Sequence, residues 1–251
     1  MSCVNIRGCR IGEGRPKVIL PIVERTEAAI LEKAAQFSTL SADCVEWRAD
    51  WFEGFQSPAA IARCVQKLRV ALRDKLLLVT FRTKAEGGDQ ALSHPEYLAF
   101  LHLILDTDCA DLLDIEFFTA GADLPKLVEQ AHSAGVAVVC SSHDFTKTPP
   151  RAELVSRMVQ MQQAGADLPK LAVMPRCRSD VLELLAATAE MADHHPETPV
   201  ITMSMGALGA VSRLAGETFG SAMTFANPGQ ASAPGQVSLD IVNEVLNALH
   251  L

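Results

Sequence analysis

The sequence lacks several features that would place it in large functional classes. Its seven cysteines are an odd number and none stands in a Cys-x-x-Cys pair, so we expect reduced thiols and no disulfide framework. No apolar run is long enough to cross a bilayer, and the N-terminal residues contain no signal-peptide core. We therefore expect a cytoplasmic protein that makes no membrane contact.

Metal-binding and nucleotide-binding motifs are also missing. No His-x-His or His-x-x-x-His spacing occurs, so the sequence predicts no metal site. The glycine-rich turn of dinucleotide-binding folds does not follow the first apolar run. A formal net charge of −8 disfavours nucleic acid as a partner, and an anionic ligand would need a local group of arginines.

What the chain does contain is apolar sequence in short, regularly spaced runs. Of its 251 residues, 49% are hydrophobic, and no Pro/Gly/Ser-rich linker divides them, so we expect residues 1–251 to form one domain. Stretches with apolar residues at helical spacing separate the runs, as with Leu154, Met158 and Met161. The runs, read as strands, are 17–23, 44–48, 76–82, 112–117, 136–141, 170–174, 200–203 and 223–225.

Eight such strands alternating with helices predict an α/β fold, a (β/α)₈ TIM-type barrel, because parallel strands buried on both faces read as continuous apolar runs. An open doubly wound sheet is the competing fold. Ser57-Pro58 and Thr148-Pro149-Pro150 predict helix starts, since each places a capping residue before proline. Residues before position 17 contain Gly8, Gly12 and Gly14 and are expected to form a hairpin that closes the barrel floor.

Polar side chains cluster at the predicted carboxyl ends of the strands, where such barrels place their active sites. Alternation puts Glu46 and Arg48 on one face of the second strand and Trp47 on the other. Three arginines near one rim are how a net-negative protein would bind a small carboxylate. The candidates are Glu46, Arg48, Arg82, Glu86 before Gly87-Gly88, Asp114, Glu116, His143, Arg213, and the loop from Ser232 to Gln236.

Lys170 is the most telling residue, because it lies in the apolar context Ala-Asp-Leu-Pro-Lys-Leu-Ala-Val-Met-Pro at 166–175. A lysine among apolar neighbours more readily becomes the neutral amine that attacks a carbonyl to form a Schiff base. His143 ends another apolar run and is suited to moving protons near neutral pH. The apolar pattern, however, puts Lys170 at the start of its strand, lower in the barrel than this chemistry needs.

From about Gly12 to its C-terminus the sequence closely resembles the type I 3-dehydroquinate dehydratase family. The resemblance lies in seven ordered motifs, which are Glu46-Trp47-Arg48, Thr80-Phe81-Arg82, Glu86-Gly87-Gly88, Ser142-His143-Asp144-Phe145, Lys170-Leu171-Ala172-Val173-Met174-Pro175, Ser212-Arg213 and Ser232-Ala233-Pro234-Gly235-Gln236. It implies a (β/α)₈ barrel, a homodimer, and dehydration of 3-dehydroquinate to 3-dehydroshikimate in the shikimate pathway, which leads to chorismate and the aromatic amino acids. No metal or dissociable cofactor is implied.

The resemblance also implies roles for the matching residues. Lys170 is expected to form the imine, His143 to shuttle protons, and Glu86 to orient His143. Arg213 is expected to bind the substrate carboxylate. The remaining expected substrate-binding residues are Glu46, Trp47, Arg48, Arg82, Ser232 and Gln236.

The chain departs from the family pattern at Pro21, where a serine is expected at the end of the first strand. Position 21 therefore offers no hydroxyl for a contact with the substrate. Two other functions fit the residues by themselves: a class I aldolase or transaldolase, which also uses a barrel lysine, and a non-catalytic barrel that binds a quinate-like acid.

Overall fold

Eight parallel strands form a closed barrel in the computed structural model, which describes residues 2–229 and 236–250. Neighbouring strands follow one another in chain order, from the first barrel strand to the eighth. A bridge between Val200 and Ser221 closes the barrel between the seventh strand and the eighth. The barrel strands are β3 (Lys17–Ile22), β4 (Cys44–Arg48), β5 (Leu76–Thr80), β6 (Leu112–Glu116), β7 (Ala137–Asp144), β8 (Leu168–Val173), β9 (Ile201–Ser204) and β10 (Met223–Asn227).

A two-stranded antiparallel hairpin precedes the barrel, with β1 at Val4–Ile6 and β2 at Cys9–Ile11. Its turn residues, Arg7 and Gly8, both have positive φ, as a two-residue hairpin turn requires. Ile11 is fully buried in the same apolar cluster as Ile19 and Leu76, which lie near the amino ends of their strands. The hairpin therefore covers the barrel floor, as predicted. A short β11 (Val237–Ser238) pairs with the end of β10.

Helices connect the strands and cover the outside of the barrel. Ser57 caps the second helix, which begins at Pro58 as predicted, whereas the helix expected to follow Thr148 begins only at Arg151, after Pro149 and Pro150. Short 3-10 helices occur at Ala49–Trp51, Lys84–Glu86 and Gly121–Asp123. The α-helices are α1 (Glu27–Phe37), α2 (Pro58–Leu72), α3 (His94–Asp106), α4 (Phe117–Ala120), α5 (Leu124–Ser133), α6 (Arg151–Gln163), α7 (Arg178–His194), α8 (Val211–Leu214), α9 (Gly216–Phe219) and α10 (Leu239–Ala248).

Two apolar layers stabilise the fold, and alternation along each strand decides which layer a side chain enters. Val45 and Trp47 point outward into the layer between the strands and the helices. Ile19 and Cys44 point into the barrel. Burial of both faces removes a large apolar area from water and explains why the strands read as continuous apolar runs.

The strand boundaries differ from prediction where polar residues enter the strands. β7 continues to Asp144, three residues beyond its predicted end, because His143 and Asp144 still pair with Ala172 and Val173 of β8. β8 starts at Leu168, two residues earlier than predicted, and Lys170 is its third residue. The apolar pattern hid this start because Pro169 is unfavourable in a central strand.

Candidate active site

The carboxyl ends of the barrel strands surround an open cavity, which is where barrels of this type place their active sites. Apolar side chains line it together with charged ones, and the apolar ones, which we call the apolar wall, are Phe145, Met203, Met205 and Phe225. Pro21 also lines the cavity, beside Glu46 on the neighbouring strand. The polar lining residues are Glu46, Arg48, Arg82, Glu86, His143, Lys170, Arg213 and Gln236.

Lys170 extends from the middle of β8 into this cavity and is only 3% exposed. Its Nζ lies 3.3 Å from Asp114 Oδ2, 4.0 Å from Glu46 Oε1, and 4.8 Å from the centre of the Phe225 ring. Lys170 pairs with Ser141 of β7, so His143 lies two residues further toward the barrel mouth on the adjacent strand. The height of Lys170 is thus compatible with a reaction at the mouth.

Glu86 and His143 form a hydrogen-bonded pair. The distance from His143 Nδ1 to Glu86 Oε2 is 2.9 Å, and the backbone N–H of His143 donates to the same oxygen at 3.0 Å. Glu86 reaches β7 because its loop turns sharply at Gly87, which has a φ of 85°. The Phe145 ring stacks on the imidazole, with the ring centres 6.4 Å apart. We assign the Nδ1–H tautomer, which leaves Nε2 with a free lone pair.

Burial shifts the pKa values of Glu86 and His143 in opposite directions. It raises the pKa of the Glu86 carboxyl to about 8, an effect that Arg82 partly offsets. Burial also lowers the pKa of His143 well below its usual range, and the positive charges of Arg82 and Lys170 lower it further. Because the two groups share a hydrogen bond, the proton gained near pH 8 belongs to the pair. Below that pH the pair holds one proton more than above it.

Arg82 is the centre of a buried charge network beneath the pair. Its guanidinium donates to Asp114 at 2.9 Å, to Glu116 at 2.8 Å and to Ser141 at 3.0 Å. Burial alone would lower the pKa of Arg82, but these carboxylates and Glu86 raise it above its ordinary value. Arg82 therefore stays charged, and its Nη1 and Nη2 are already occupied by protein acceptors.

Asp114 connects this network to Lys170. Oδ1 accepts hydrogen bonds from Arg82 and from the Ser141 hydroxyl, while Oδ2 faces Lys170. Burial alone would raise the pKa of Asp114, but Arg82 and Lys170 hold it below its usual value. The sequence places Asp114 and Glu116 at a strand end without indicating a role. The only sequence signal is that two carboxylates alternate on the inner face of a buried strand.

Two other arginines border the cavity in different surroundings. Arg48 binds Asp50 with two hydrogen bonds, of 2.7 and 2.8 Å. Arg213 is 2% exposed, and its Nη1 lies 3.6 Å from Met203 Sδ. Burial lowers the pKa of Arg213 to about 10, so it remains a cation at neutral pH. A buried cation beside an apolar wall strongly attracts an anionic ligand.

The last three predicted binding residues, Trp47, Gln236 and Ser232, have different outcomes. Trp47 does not line the cavity: its side chain points outward from β4, is fully buried, and packs at 5.9 Å from the Phe52 ring. The placement of Trp47 corrects its prediction as a cavity residue, and alternation from Glu46 is the physical reason. Gln236 lines the cavity. Ser232 lies outside the described residues.

Within residues 2–229 and 236–250, no group of three or more His, Cys, Asp and Glu side chains could hold a metal ion. Among the helices described, none combines the length and apolar character needed to cross a membrane.

Comparison with known proteins places this architecture in one family. A sequence model of type I 3-dehydroquinase matches residues 18–251. The 3-dehydroquinate dehydratase of Bacillus licheniformis is 46% identical over 98% of this chain and 97% of its own length. That of Bacillus subtilis is 46% identical over 100% of this chain and 98% of its own length.

A solved structure agrees with the sequence relatives. It is the type I 3-dehydroquinate dehydratase of Clostridium difficile with covalent modified comenic acid, which is 42% identical to this chain. The two structures superpose with a TM-score of 0.96 over 99% of this chain and 98% of the other. By full-length sequence identity and by structure, the chain belongs to the type I 3-dehydroquinase family of dehydratases.

Proposed function

We propose that this chain dehydrates 3-dehydroquinate to 3-dehydroshikimate and water through an imine on Lys170. The observation that supports this most is the buried Lys170 amine in the same cavity as a hydrogen-bonded Glu86–His143 pair. A nucleophile and a proton-transfer group are thus available to one bound ketone. In this proposal the reaction is a step of the shikimate pathway.

The proposed chemistry begins when Lys170 gives a proton to a base of the site and its amine attacks the substrate ketone. The resulting carbinolamine then loses water. The protonated imine that forms is an electron sink, so the adjacent carbon becomes more acidic than it is beside a ketone. A base removes a proton from that carbon and leaves an enamine. Electrons of the enamine then expel the β-hydroxyl, which leaves as water after it accepts a proton. A second water hydrolyses the imine and frees Lys170.

His143 is the proposed proton carrier in each of these steps. In the deprotonated pair, the Nε2 lone pair takes the proton from the carbon, and the resulting Nε2–H then protonates the leaving hydroxyl. Glu86 accepts from Nδ1 at 2.9 Å and so fixes the ring orientation and the tautomer. The raised pKa of the Glu86 carboxyl, about 8, places the gain and loss of this proton near neutral pH.

Substrate recognition is proposed to depend on charge at one end and on hydrogen bonds around the ring. The buried Arg213 guanidinium, which lies beside Met203 of the apolar wall, binds the substrate carboxylate. Glu46, Arg48 and Gln236 bind ring hydroxyls. Arg82, whose nitrogens have protein acceptors, acts by holding Asp114 and Glu116 as well as by facing the cavity. Pro21 offers no hydroxyl there, so its contact with the substrate is apolar.

Borohydride trapping tests the proposal. Sodium borohydride added during turnover of 3-dehydroquinate should reduce the imine to a stable amine on Lys170, and mass spectrometry of proteolytic peptides should find the added mass on that residue. Sugar phosphates should give no adduct and no turnover, which separates this reaction from that of an aldolase. Turnover of 3-dehydroquinate with an unmodified Lys170 would refute the imine.

The remaining expectations are part of the same proposal. We propose a homodimer, one domain over residues 1–251, a cytoplasmic location, and activity without metal or cofactor. All seven cysteines are free thiols, which is compatible with a reducing compartment.

A further inference from the structure

Asp50 is a fully buried carboxylate to which the mechanism above gives no role. It lies in the short 3-10 helix Ala49–Trp51, directly after β4. A buried carboxylate is costly unless hydrogen-bond donors surround it. The partners of Asp50 therefore indicate what its charge stabilises.

Those partners come from two different parts of the site. Oδ1 accepts from Arg48 Nε at 2.7 Å and from the Arg82 backbone N–H at 3.3 Å. Oδ2 accepts from Arg48 Nη2 at 2.8 Å and from the Asp89 backbone N–H at 3.0 Å. Each oxygen of one carboxylate thus binds both the Arg48 side chain and the backbone of a neighbouring loop.

The contact with Arg48 fixes a cavity-lining guanidinium. Two parallel hydrogen bonds between a guanidinium and a carboxylate set the plane of the arginine as well as its position. The bonds use the Nε and Nη2 edge, and no hydrogen bond recorded among the described residues uses Nη1. Since Arg48 lines the cavity, the N–H groups of Nη1 can donate to a ligand there.

The two backbone contacts bracket the loop that contains Glu86. Arg82 and Asp89 stand at its two ends, and both N–H groups bind the same carboxylate. Glu86 sits between them and meets His143 at 2.9 Å. A shift of this loop would therefore change the distance on which the Glu86–His143 pair depends.

We propose that Asp50 is a positioning residue that aims Arg48 at the substrate and holds the Glu86 loop against His143. This inference rests on the proposed function, because both groups act on the same substrate. Through one carboxylate, the orientation of a binding residue and that of the proton-transfer pair depend on each other.

The variant that tests this is Asp50→Asn, which keeps the size of the side chain but turns one acceptor oxygen into a donor. Whichever oxygen is replaced, the amide NH₂ faces both a nitrogen of Arg48 and a backbone N–H, so one contact of each kind is lost. We expect KM for 3-dehydroquinate to rise about tenfold through Arg48, and kcat to fall about tenfold through the misplaced Glu86–His143 pair.

A matched control is Asp111→Asn at the opposite end of the barrel. Asp111 is also buried, pairs with Arg69, and accepts the Leu77 backbone N–H at 2.8 Å. Both variants should unfold at lower temperature, but Asp111→Asn should keep kcat and KM within about twofold of wild type. Kinetics of Asp50→Asn that match those of Asp111→Asn would mean a purely structural role and would overturn the inference.

A double-mutant comparison separates the two effects. Arg48→Met should raise KM by itself, and adding Asp50→Asn should raise KM little further while still lowering kcat. KM effects that multiply instead would overturn the link to Arg48. If Asp50→Asn does not fold, Asp50→Ser, which leaves room for water, is compared in the same way. A wild-type protein inactive on 3-dehydroquinate would refute the proposed function itself, whereas active wild type with unaffected Asp50 variants would refute only this inference.

Discussion

The segment Gly-Ala-Asp-Leu-Pro-Lys-Leu occurs twice in the chain, at 121–127 and at 165–171, and it folds in two different ways. The first copy forms a short 3-10 helix and then the start of α5 (Leu124–Ser133). The second forms a turn and then the start of β8 (Leu168–Val173). Seven identical residues therefore do not determine their own secondary structure, and the surroundings do.

The residues that follow each copy explain the difference. After the first copy, Val128 and Ala131 continue a buried face at helical spacing with Leu124 and Leu127. After the second copy the chain is apolar on both faces up to Val173, as a central barrel strand requires. Proline fits the first turn of a helix well, so it favours the first structure, whereas the second is imposed by pairing with β7 and β9.

The two lysines show what the surroundings do to chemistry. Lys126 is exposed on α5, whereas Lys170 is 3% exposed and lies 3.3 Å from Asp114. The same side chain with the same six neighbours in sequence is a solvated cation in one copy and lines a cavity in the other. The reactivity that we propose for Lys170 therefore depends on its position in the barrel and not on the local sequence.

Replacing each lysine by alanine should give the largest contrast between the copies. We expect Lys170→Ala to lower kcat on the order of 10⁴-fold or more, because the imine can no longer form. Lys126→Ala should leave kcat and KM unchanged, since its side chain lies in solvent. Steady-state kinetics with 3-dehydroquinate measures both. Substantial turnover by Lys170→Ala, or a comparable loss in Lys126→Ala, would contradict this account.

The pH dependence of the reaction is a second way to compare the two lysines, because titrating groups surround Lys170 and Lys126 lies in solvent. Below about pH 8 the Glu86–His143 pair holds an additional proton and is less able to take one from the substrate. We therefore expect kcat/KM to rise with pH up to about 8 and then to level off. In Glu86→Gln the carboxyl that titrates there is gone, and the lowered pKa of His143 should move the inflection to lower pH.

Measurements of kcat/KM from about pH 5 to pH 9.5 on both proteins check this. Groups that face Glu86 contribute to the inflection: Arg82 lowers the pKa of its carboxyl, and Glu116 and Asp114 raise it. An inflection that stays at the same pH in Glu86→Gln would mean that another group controls it. The Lys126→Ala variant should follow the wild-type profile.

Much of the fold could be predicted from sequence because a barrel strand buried on both faces is a short apolar run. The interval 44–48 was predicted at its observed bounds, and the hairpin over the floor was expected from the glycines before the first barrel strand. The predicted strand bounds were wrong where polar residues or a proline interrupt the apolar pattern. Ser142 to Asp144 belong to β7, and Lys170 belongs to the interior of β8, although a polar residue or a proline interrupts each apolar run there.

The site could be predicted only in part, and for a physical reason. Residues expected to touch substrate are recognisable through the family resemblance, and the structure brings Lys170, His143 and Glu86 to one cavity. Carboxylates that hold other side chains have no motif of their own. Asp114 is a candidate from sequence only by its place at a strand end, and the contacts of Asp50 and Asp114 are identified only by distances between segments that are far apart in sequence.

The smallest expected difference between the two copies is in the contribution of their aspartates, Asp123 and Asp167, to stability. Asp167 Oδ2 accepts the Val138 backbone N–H at 2.7 Å and meets His132 at 2.8 Å, whereas Asp123 meets His94 at 2.9 Å in an exposed pair. Asp167→Ala leaves a strand N–H of β7 without its acceptor, so we expect a loss of about 2 kcal/mol in the free energy of unfolding. Asp123→Ala should cost much less, because exposed ion pairs contribute little. Urea unfolding of both variants measures the difference, and equal losses would mean that the strand copy owes no stability to this hydrogen bond.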